Sequence, residues 1–521
     1  MFEQEKATLS RLGFLNGLCC HKMLWLETHM PQTLSALNTE EKRNLRQEME
    51  VLRAAQGLFV GGKEVAQHQD KDAQVLETQE LLRQGHSVLY GATFQYGNLC
   101  LYVDILEIVR DKSGALMGVV LYGVSKHASL CTQGGHPTLQ THLWDLAAQC
   151  YVLQSLGYNI CDACLLCLND NYTRHGALDS TQLFLKSSFL EAIAPLQKKI
   201  PELLAQMSQV LASPTEPKID IGRHCIHPHK CRAKTYCWEK QRKIVGFEHI
   251  FAIPQISFKT AMPLYQRGRV FFRNLSKKDL AVFNWRQQMQ IRCAWRNAPH
   301  IERRKIRAFL KQLRYPIYHL DFEAFQQVIP EFDGVRPLMK IPFQYSIHID
   351  FGKGKLKHEE FLADCGTDGR LALAQSLVKV IPTNACVLAY NAAFEKDRLT
   401  ELATLFAHTH KDLSVALLKI CHNVQDLMIP FKHRHYYTPQ MHGRFSIKKV
   451  LPALVPTFEN AYTQLDLIHD GADAATSYEQ MPHMPKEQQE RTKKALLAYC
   501  KLDTLAMVKV LRVLKRVLFQ W

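Results

Sequence analysis

The seven residues HLDFEAF, positions 319–325, constrain this chain more than any other stretch. Their alternation suits a buried β-strand, and Asp321 and Glu323, two residues apart, would project from the same face of it. Two carboxylates on one face of a core strand repel each other, and burying an unpaired charge costs on the order of several kcal/mol. Such a strand calls for cations, with a divalent metal the usual partner, unless it lies at a sheet edge with both acids in water.

Two later stretches bear on that choice. In ALLAYCKLDTLAMVKVL (495–511) helical periodicity brings Leu496, Tyr499, Asp503, Met507 and Val510 close to one face, so a phenol and a carboxylate one turn apart share an apolar stripe. LAYNAAFEKDRL (388–399) reads as a strand ending at Tyr390 and Asn391, then a helix presenting Glu395. Asp-x-Glu on a first strand, an acid after Asn-x-x-Phe and Tyr-x-x-x-Asp on a final helix, in this order, resemble the DnaQ-like, RNase H-fold exonucleases of the DEDDy type. The likeness continues through IPFQYSIHI (341–349), the Asp426 and Leu427 pair, and GRFSIKKVLPAL (443–454). It implies that Asp321, Glu323, Glu395 and Asp503 hold two Mg²⁺ or Mn²⁺ ions, that Tyr499 orients the attacking water, and that Asn391 orders its loop or contacts phosphate. Glu395 stands where most of these enzymes have Asp, and Asp426 is the alternative third acid. The whole chain is similar to an uncharacterised bacterial family that fuses a RecB-like, iron–sulfur nuclease module to this exonuclease domain.

The chain has 16 cysteines. Its first ten residues, MFEQEKATLS, lack a basic segment followed by an apolar run, and no apolar stretch approaches the roughly 20 residues needed to span a bilayer. A cytosolic chain without a membrane partner is expected, its thiols mostly reduced and those with special spacing candidates for metal. Cys225, Cys231 and Cys237 sit in the polar segment RHCIHPHKCRAKTYCWEK, where thiols are not acting as small core hydrophobes. Thiolates suit a [4Fe–4S] cluster or zinc, and His224, His227 and His229 keep a mixed Cys/His zinc site open. Residues 8–30 read as one amphipathic helix carrying Cys20. The family resemblance implies that Cys20 joins the trio as fourth ligand of a [4Fe–4S] cluster, with His21 in place of the family's Pro. A second run, CDACLLC, spaces Cys161, Cys164 and Cys167 like ferredoxin ligands, but it reads as a buried strand with Cys164 facing away from the other two.

Between these cysteines, VLYGATF, LCLYVDILEIV and ALMGVVLYGVSKH are three β-rich runs, followed by the helical WDLAAQCYVLQSLG with Asp145, Gln149 and Tyr151. Their order resembles the PD-(D/E)xK restriction-endonuclease-like fold with its RecB-type Gln helix. That resemblance implies an acid on the second strand, met by Asp104, and acid-x-Lys on the third. Here Gly123, Val124 and Ser125 stand where relatives carry Glu-Val-Lys, and Gly91 falls at an earlier acid position. One carboxylate cannot hold a competent divalent cation, so this site is expected to be inactive unless Lys126 replaces the missing Lys.

The expected architecture is α/β throughout: a restriction-endonuclease-like domain stapled by four cysteines over 1–245, a basic, helix-hairpin-helix-like connector over 246–314, and an RNase H-like domain over 315–521. Residues 181–245 are expected to be helices leading into the cysteine trio. The connector ends in IERRKIRAFLKQLR, whose apolar Ile306, Phe309, Leu310 and Leu313 oppose Arg303, Arg304, Lys305, Arg307, Lys311 and Arg314. A basic helix face is usually just solvated, but with a net charge of +16 and beside two expected nuclease folds this one is expected to be a track for phosphates. The expected function is metal-dependent 3′–5′ exonucleolytic hydrolysis of nucleic acid, DNA ahead of RNA, with the N-terminal domain gripping the substrate and protein partners in a defence or repair complex. The alternative is a nucleic-acid-binding scaffold built from two inactive nuclease folds.

Overall fold

Runs rich in Val, Ile and Leu form the central strands of two separate mixed sheets in the computed structural model, which describes residues 8–66, 70–127, 130 and 137–519. The chain is a mixed α/β protein of two units. One takes the residues up to Ile244 with Gln327–Leu338, and the other takes Val245–Gln326 with the residues from Met339 onward.

The first unit begins with α1 (Arg11–Cys19), α2 (His21–His29), α3 (Thr39–Gln56) and α4 (Lys71–Arg83). Its sheet contains β1 (Val88–Tyr96), β2 (Leu99–Arg110), β3 (Leu116–Ser125), β4 (Ile160–Leu168) and β5 (Phe184–Ser188), hydrogen-bonded in that order. Only the β3–β4 pair among these is parallel, and α5 (Pro137–Ser155) makes the crossover. Both faces are covered. Leu101, Val103, Leu121 and Leu165 enter one core, and Ile105, Tyr122, Cys164 and Leu166 enter the other. Cys167 lies in the first of these cores, opposite Cys164, while Cys161 is exposed.

Three local expectations differ from the structure. The helix expected over 8–30 breaks at Cys20, whose extended backbone (φ −165°, ψ 114°) ends α1 and starts α2. Residues 181–245 are not all helical: β5 precedes α6 (Leu190–Gln197) and α7 (Ile200–Ala212), and the cysteine trio follows on short turns. The segment Gln327–Leu338 belongs to this unit, where Arg174 donates to Pro330 O at 2.7 Å and Val328 is buried with Val51 and Val88.

In the second unit, α8 (Phe258–Gln266) and α9 (Trp285–Arg296) surround a small core of Ile250, Leu264, Phe272, Leu280, Phe283 and Ile291. The connector is therefore a packed element of this unit. α10 (Arg303–Leu310) ends sooner than its periodicity suggests, burying Ile306 and Phe309 and leaving Arg303, Arg304, Lys305 and Arg307 exposed. The sheet has β6 (Ile317–Gln326), β7 (Lys340–Asp350), β8 (Leu356–Leu362), β9 (Cys386–Ala389) and β10 (Val424–Asp426), in the order β8-β7-β6-β9-β10. β7 is antiparallel to both neighbours, while β6, β9 and β10 run parallel. The acid-bearing β6 is thus central, which removes the edge-strand reading. Its Tyr318, Leu320 and Phe322 pack with Ile347 and Ile349 of β7 against α11 (Arg370–Val380), α12 (Ala393–Leu405) and α13 (Lys411–His422). After α14 (Ile447–Leu454) and α15 (Gly471–Gln480), α16 (Lys486–Arg516) packs on the sheet's other face. There Gln344 donates to Leu496 O at 2.9 Å, and Thr504 Oγ1 lies 2.8 Å from Ser346 Oγ and 2.7 Å from His348 Nδ1.

Candidate active site and thiol centre

The pleat of β6 sends Asp321 and Glu323 to the α16 face, away from the apolar core. Both carboxyls are pushed well above the usual carboxylate range. Burial is the main cause for each, with Asp503 adding to Asp321, and Asp321 and Asp503 adding to Glu323. Glu395 in the first turn of α12 is 2% exposed, and burial followed by the charge of Asp321 raises it too. Its Oε2 is buried with no hydrogen-bond partner among the described residues. Asp503 is raised by burial, opposed by hydrogen bonds from Tyr462 and Tyr499 and by Lys448. The four acids thus act on one another from three elements.

Neighbouring groups hold the cluster in place. Tyr462 Oη donates to Asp503 Oδ1 at 2.6 Å, and Cys500 Sγ donates to Asp321 Oδ2 at 3.4 Å. The buried Tyr499 phenol is pushed well above its ordinary value, by burial and then by Asp503, Glu323 and Asp321, so it stays an O–H donor at neutral pH. Lys448 of α14 places Nζ 4.8 Å from the Tyr499 ring centre and 5.3 Å from that of Tyr462, and donates to His469 O at 3.0 Å. Sequence reading missed Tyr462, Lys448 and Cys500. Tyr462 lies in an irregular segment with no period to read, whereas Cys500 could have been found, being next to Tyr499.

The two candidates for third acid are placed differently. Asp426 Oδ1 accepts from Asn391 N at 3.0 Å and from Met428 N at 2.8 Å, so it ties the β9–α12 turn together. Asn391 sits in that turn at φ +73°, a left-handed conformation that Asn tolerates better than most residues. Glu395 is raised by the charge of Asp321 and has an uncommitted oxygen, and Asp426 adds a smaller push in the same direction. An oxygen-rich donor set whose acids are raised by burial and then by neighbouring carboxylates, with Lys448 as a nearby counter-charge, fits hard divalent cations.

The N-terminal constellation is organised around a residue that sequence reading did not single out. Arg11 of α1 reaches Asp104 Oδ1 at 2.6 Å through Nη1, and Asp145 through Nη2 at 2.5 Å and Nε at 2.7 Å. Asp104 Oδ2 accepts from Val124 N at 3.0 Å, and Gln149 donates to Asp145 at 3.1 Å. No local pattern could reveal Arg11, because 93 residues separate it from Asp104. Gly91 has φ +68°, so an acid there would strain the backbone, whereas a Cβ on Gly123 would make only ordinary contact with Leu165 and Leu146. Lys126 points to α3, donating to Asn44 at 2.7 Å and Gln47 at 3.0 Å. A guanidinium thus occupies the space between the Asp104 and Asp145 carboxylates.

Cys20, Cys225, Cys231 and Cys237 line one cavity with Met23, Ile219, Ile221 and His224. Burial pushes the Cys231 thiol up to about 12 and Cys237 to about 11, and the other thiols of the group add to both. Cys20 is raised by burial too, but the amides of Met23 and Lys22 in the first turn of α2 pull it back. The break at Cys20 therefore aims a helix N-terminus at its sulfur. Four thiols lining one cavity, with those of Cys20, Cys231 and Cys237 raised, fit a metal centre that would replace their protons.

Residues 318–446 match the model of a domain of unknown function (DUF2779). The match contains Asp321, Glu323, Asn391, Glu395 and Asp426 and ends before Tyr462, Tyr499 and Asp503. An uncharacterized protein of Mycoplasma pneumoniae is 27% identical over 222 residues, which is 40% of this chain and 33% of that relative. The chain thus spans about a third of the relative's length. No solved structure matches it. No helix among the described residues is long and apolar enough to cross a membrane.

Proposed function

We propose that the second unit is a metal-dependent nuclease of the DnaQ-like, RNase H-fold type, hydrolysing phosphodiester bonds of DNA or RNA from the 3′ end. The observation that carries this reading is the convergence of Asp321, Glu323, Glu395 and Asp503, all raised by burial, the first three also by neighbouring acids, with Tyr499 beside Asp503. The central place of β6 between antiparallel β7 and parallel β9 supports the RNase H-like fold. Two Mg²⁺ or Mn²⁺ ions held by these four acids would supply Lewis acidity toward the phosphate and a water of lowered pKa. The chain itself does the rest. Tyr499 keeps its proton and can orient a water by donating or accepting, Tyr462 fixes the Asp503 carboxylate, and Lys448 offers a cation to the phosphate at the edge of the acids. Asp426 holds the turn that sets Glu395 and Asn391.

The first unit fits a gripping role, with its four thiols around an iron–sulfur cluster or zinc and its nuclease-like pocket closed by Arg11. That closed pocket is also the observation favouring a scaffold. Digestion of end-labelled single- and double-stranded DNA and RNA with Mg²⁺ or Mn²⁺ separates the readings. Asp321→Asn should reduce hydrolysis at least about a thousandfold, a few kcal/mol of transition-state stabilisation, while the fold is retained. Glu395→Gln should match it, and Asp426→Asn should cost less. Wild-type protein that binds nucleic acid and cleaves nothing with either ion would make the scaffold reading the correct one.

A further inference from the structure

Cys500 is buried on α16 between Tyr499 and Asp503, and a nuclease built on carboxylates has no evident use for it. Its sulfur stands 3.4 Å from Asp321 Oδ2, and one donor atom each from Asp321, Glu323 and Cys500 lie within 4.8 Å of one another. The sulfur–oxygen separation is close to the one that a small tetrahedral cation imposes, and the third donor is within reach of the same ion. With Zn–S about 2.3 Å and Zn–O about 2.1 Å, a sulfur and an oxygen on the same ion stand about 3.6 Å apart. Close by, the buried Glu395 Oε2 has no hydrogen-bond partner among the described residues and its carboxyl feels Asp321, so a further oxygen donor is uncommitted nearby.

We infer that Asp321, Glu323 and Cys500 form a capture site for a thiophilic divalent cation of the Zn²⁺ or Cd²⁺ class, competing with the hard ions that would serve hydrolysis. Soft thiolate donors select such ions, whereas Mg²⁺ and Mn²⁺ prefer carboxylate and water. With a hard ion present, the thiol keeps its proton and donates to Asp321. With a soft ion, the S–H proton is released to solvent and a sulfur–metal bond replaces the hydrogen bond. One side chain thereby gives the acid cluster two exclusive states. The soft-ion state withdraws Asp321 from the geometry that the hard ions need. The inference rests on the acid cluster being a cation site, as proposed above, but does not require that the site hydrolyse anything.

The test is titration of the full-length protein with Cd²⁺ in the absence of nucleic acid, read in the ultraviolet sulfur-to-cadmium charge-transfer band. Direct Zn²⁺ and Mn²⁺ affinities come from calorimetry and electron paramagnetic resonance. The cysteines of the first unit will also take Cd²⁺, so the relevant signal is the difference between wild type and Cys500→Ser. A Cys500-dependent band that excess Mn²⁺ reverses, with the Zn²⁺/Mn²⁺ affinity ratio falling at least about tenfold in Cys500→Ser, is the expected result. Should Cys500→Ser fail to fold, Glu323→Gln, which keeps the thiol, must show the same loss of band. Equal bands and equal affinity ratios in wild type and Cys500→Ser overturn the inference. A Cys500-dependent band in a protein that cleaves no nucleic acid leaves it standing and removes the nuclease reading, so the two fail separately.

Discussion

Replacing Arg11 with Ala tests whether the N-terminal pocket is a closed strut. The guanidinium spans two carboxylates at 2.6 and 2.5 Å, and the side-chain exposures are 16% for Arg11, 10% for Asp104 and 6% for Asp145. Removing one partner from a buried ion pair costs about 3–5 kcal/mol, mostly because a charge is left uncompensated. Arg11→Ala strands two such charges. It also removes the stacking of the guanidinium over Tyr102, 4.4 Å from the ring centre and worth about 0.5–1 kcal/mol. For a unit of this size each kcal/mol moves the midpoint by roughly 2–4 °C, so the unit's melting transition should fall by roughly 6–20 °C. Calorimetry of the full-length protein, with and without excess Mg²⁺, measures this. Mg²⁺ should restore part of the loss in Arg11→Ala and do little for this transition in the wild type, because a divalent ion can replace the guanidinium only after it is gone. A loss under about 1 kcal/mol, the range of exposed ion pairs, would refute the reasoning.

Two further predictions concern the thiol group and the acid cluster. Serine at Cys20, Cys225, Cys231 or Cys237 should each abolish the visible charge-transfer absorption of an iron–sulfur protein and lower the first unit's melting temperature, whereas stoichiometric zinc without iron in the wild type would assign the thiols to zinc. The acid cluster gives stability a definite pH dependence. The folded values of Asp321, Glu323, Glu395 and Asp503 all lie above their unfolded values near about 4, so the folded state binds more protons and loses stability as pH rises from there toward the folded values. Mn²⁺ should therefore raise the second unit's melting temperature more at about pH 8 than at about pH 5, and an equal shift at both would contradict the coupling.

What the sequence could reveal followed from periodicity. The strand at 317–326 and the long C-terminal helix carry strict periods of two and 3.6, and those periods put Asp321, Glu323, Tyr499 and Asp503 on the faces where the structure has them. The period also separated Cys164 from Cys167 in the ferredoxin-like run. Periodicity could not reveal contacts made by single long side chains across the sequence. Arg11 meets Asp104 and Asp145 from a helix whose own pattern is unremarkable, and Tyr462 meets Asp503 from an irregular segment. The break at Cys20 was likewise invisible, because residues 8–30 favour helix on both sides of it.

The electrostatics of the acid cluster give the enzyme and scaffold readings different expected outcomes. Two unit charges about 4 Å apart interact by about 4 kcal/mol at an effective dielectric constant of about 20, so whatever charge these raised acids keep without cations repels an approaching phosphate. Lys448 offsets part of that, while the exposed Arg303, Arg304, Lys305 and Arg307 of α10 offer phosphate contacts elsewhere in the same unit. A site meant only to grip phosphate would gain by losing its acids, whereas a site that works through cations needs them. Asp321→Asn should therefore act in opposite directions: with Mn²⁺ it removes hydrolysis, and in a chelator it leaves nucleic-acid affinity equal to or above that of the wild type. Fluorescence anisotropy of a labelled single strand, at matched salt with and without Mn²⁺, reads both states. If Asp321→Asn weakens binding in the chelator, the carboxylate contributes to the grip itself, and the cation-mediated account of this site fails.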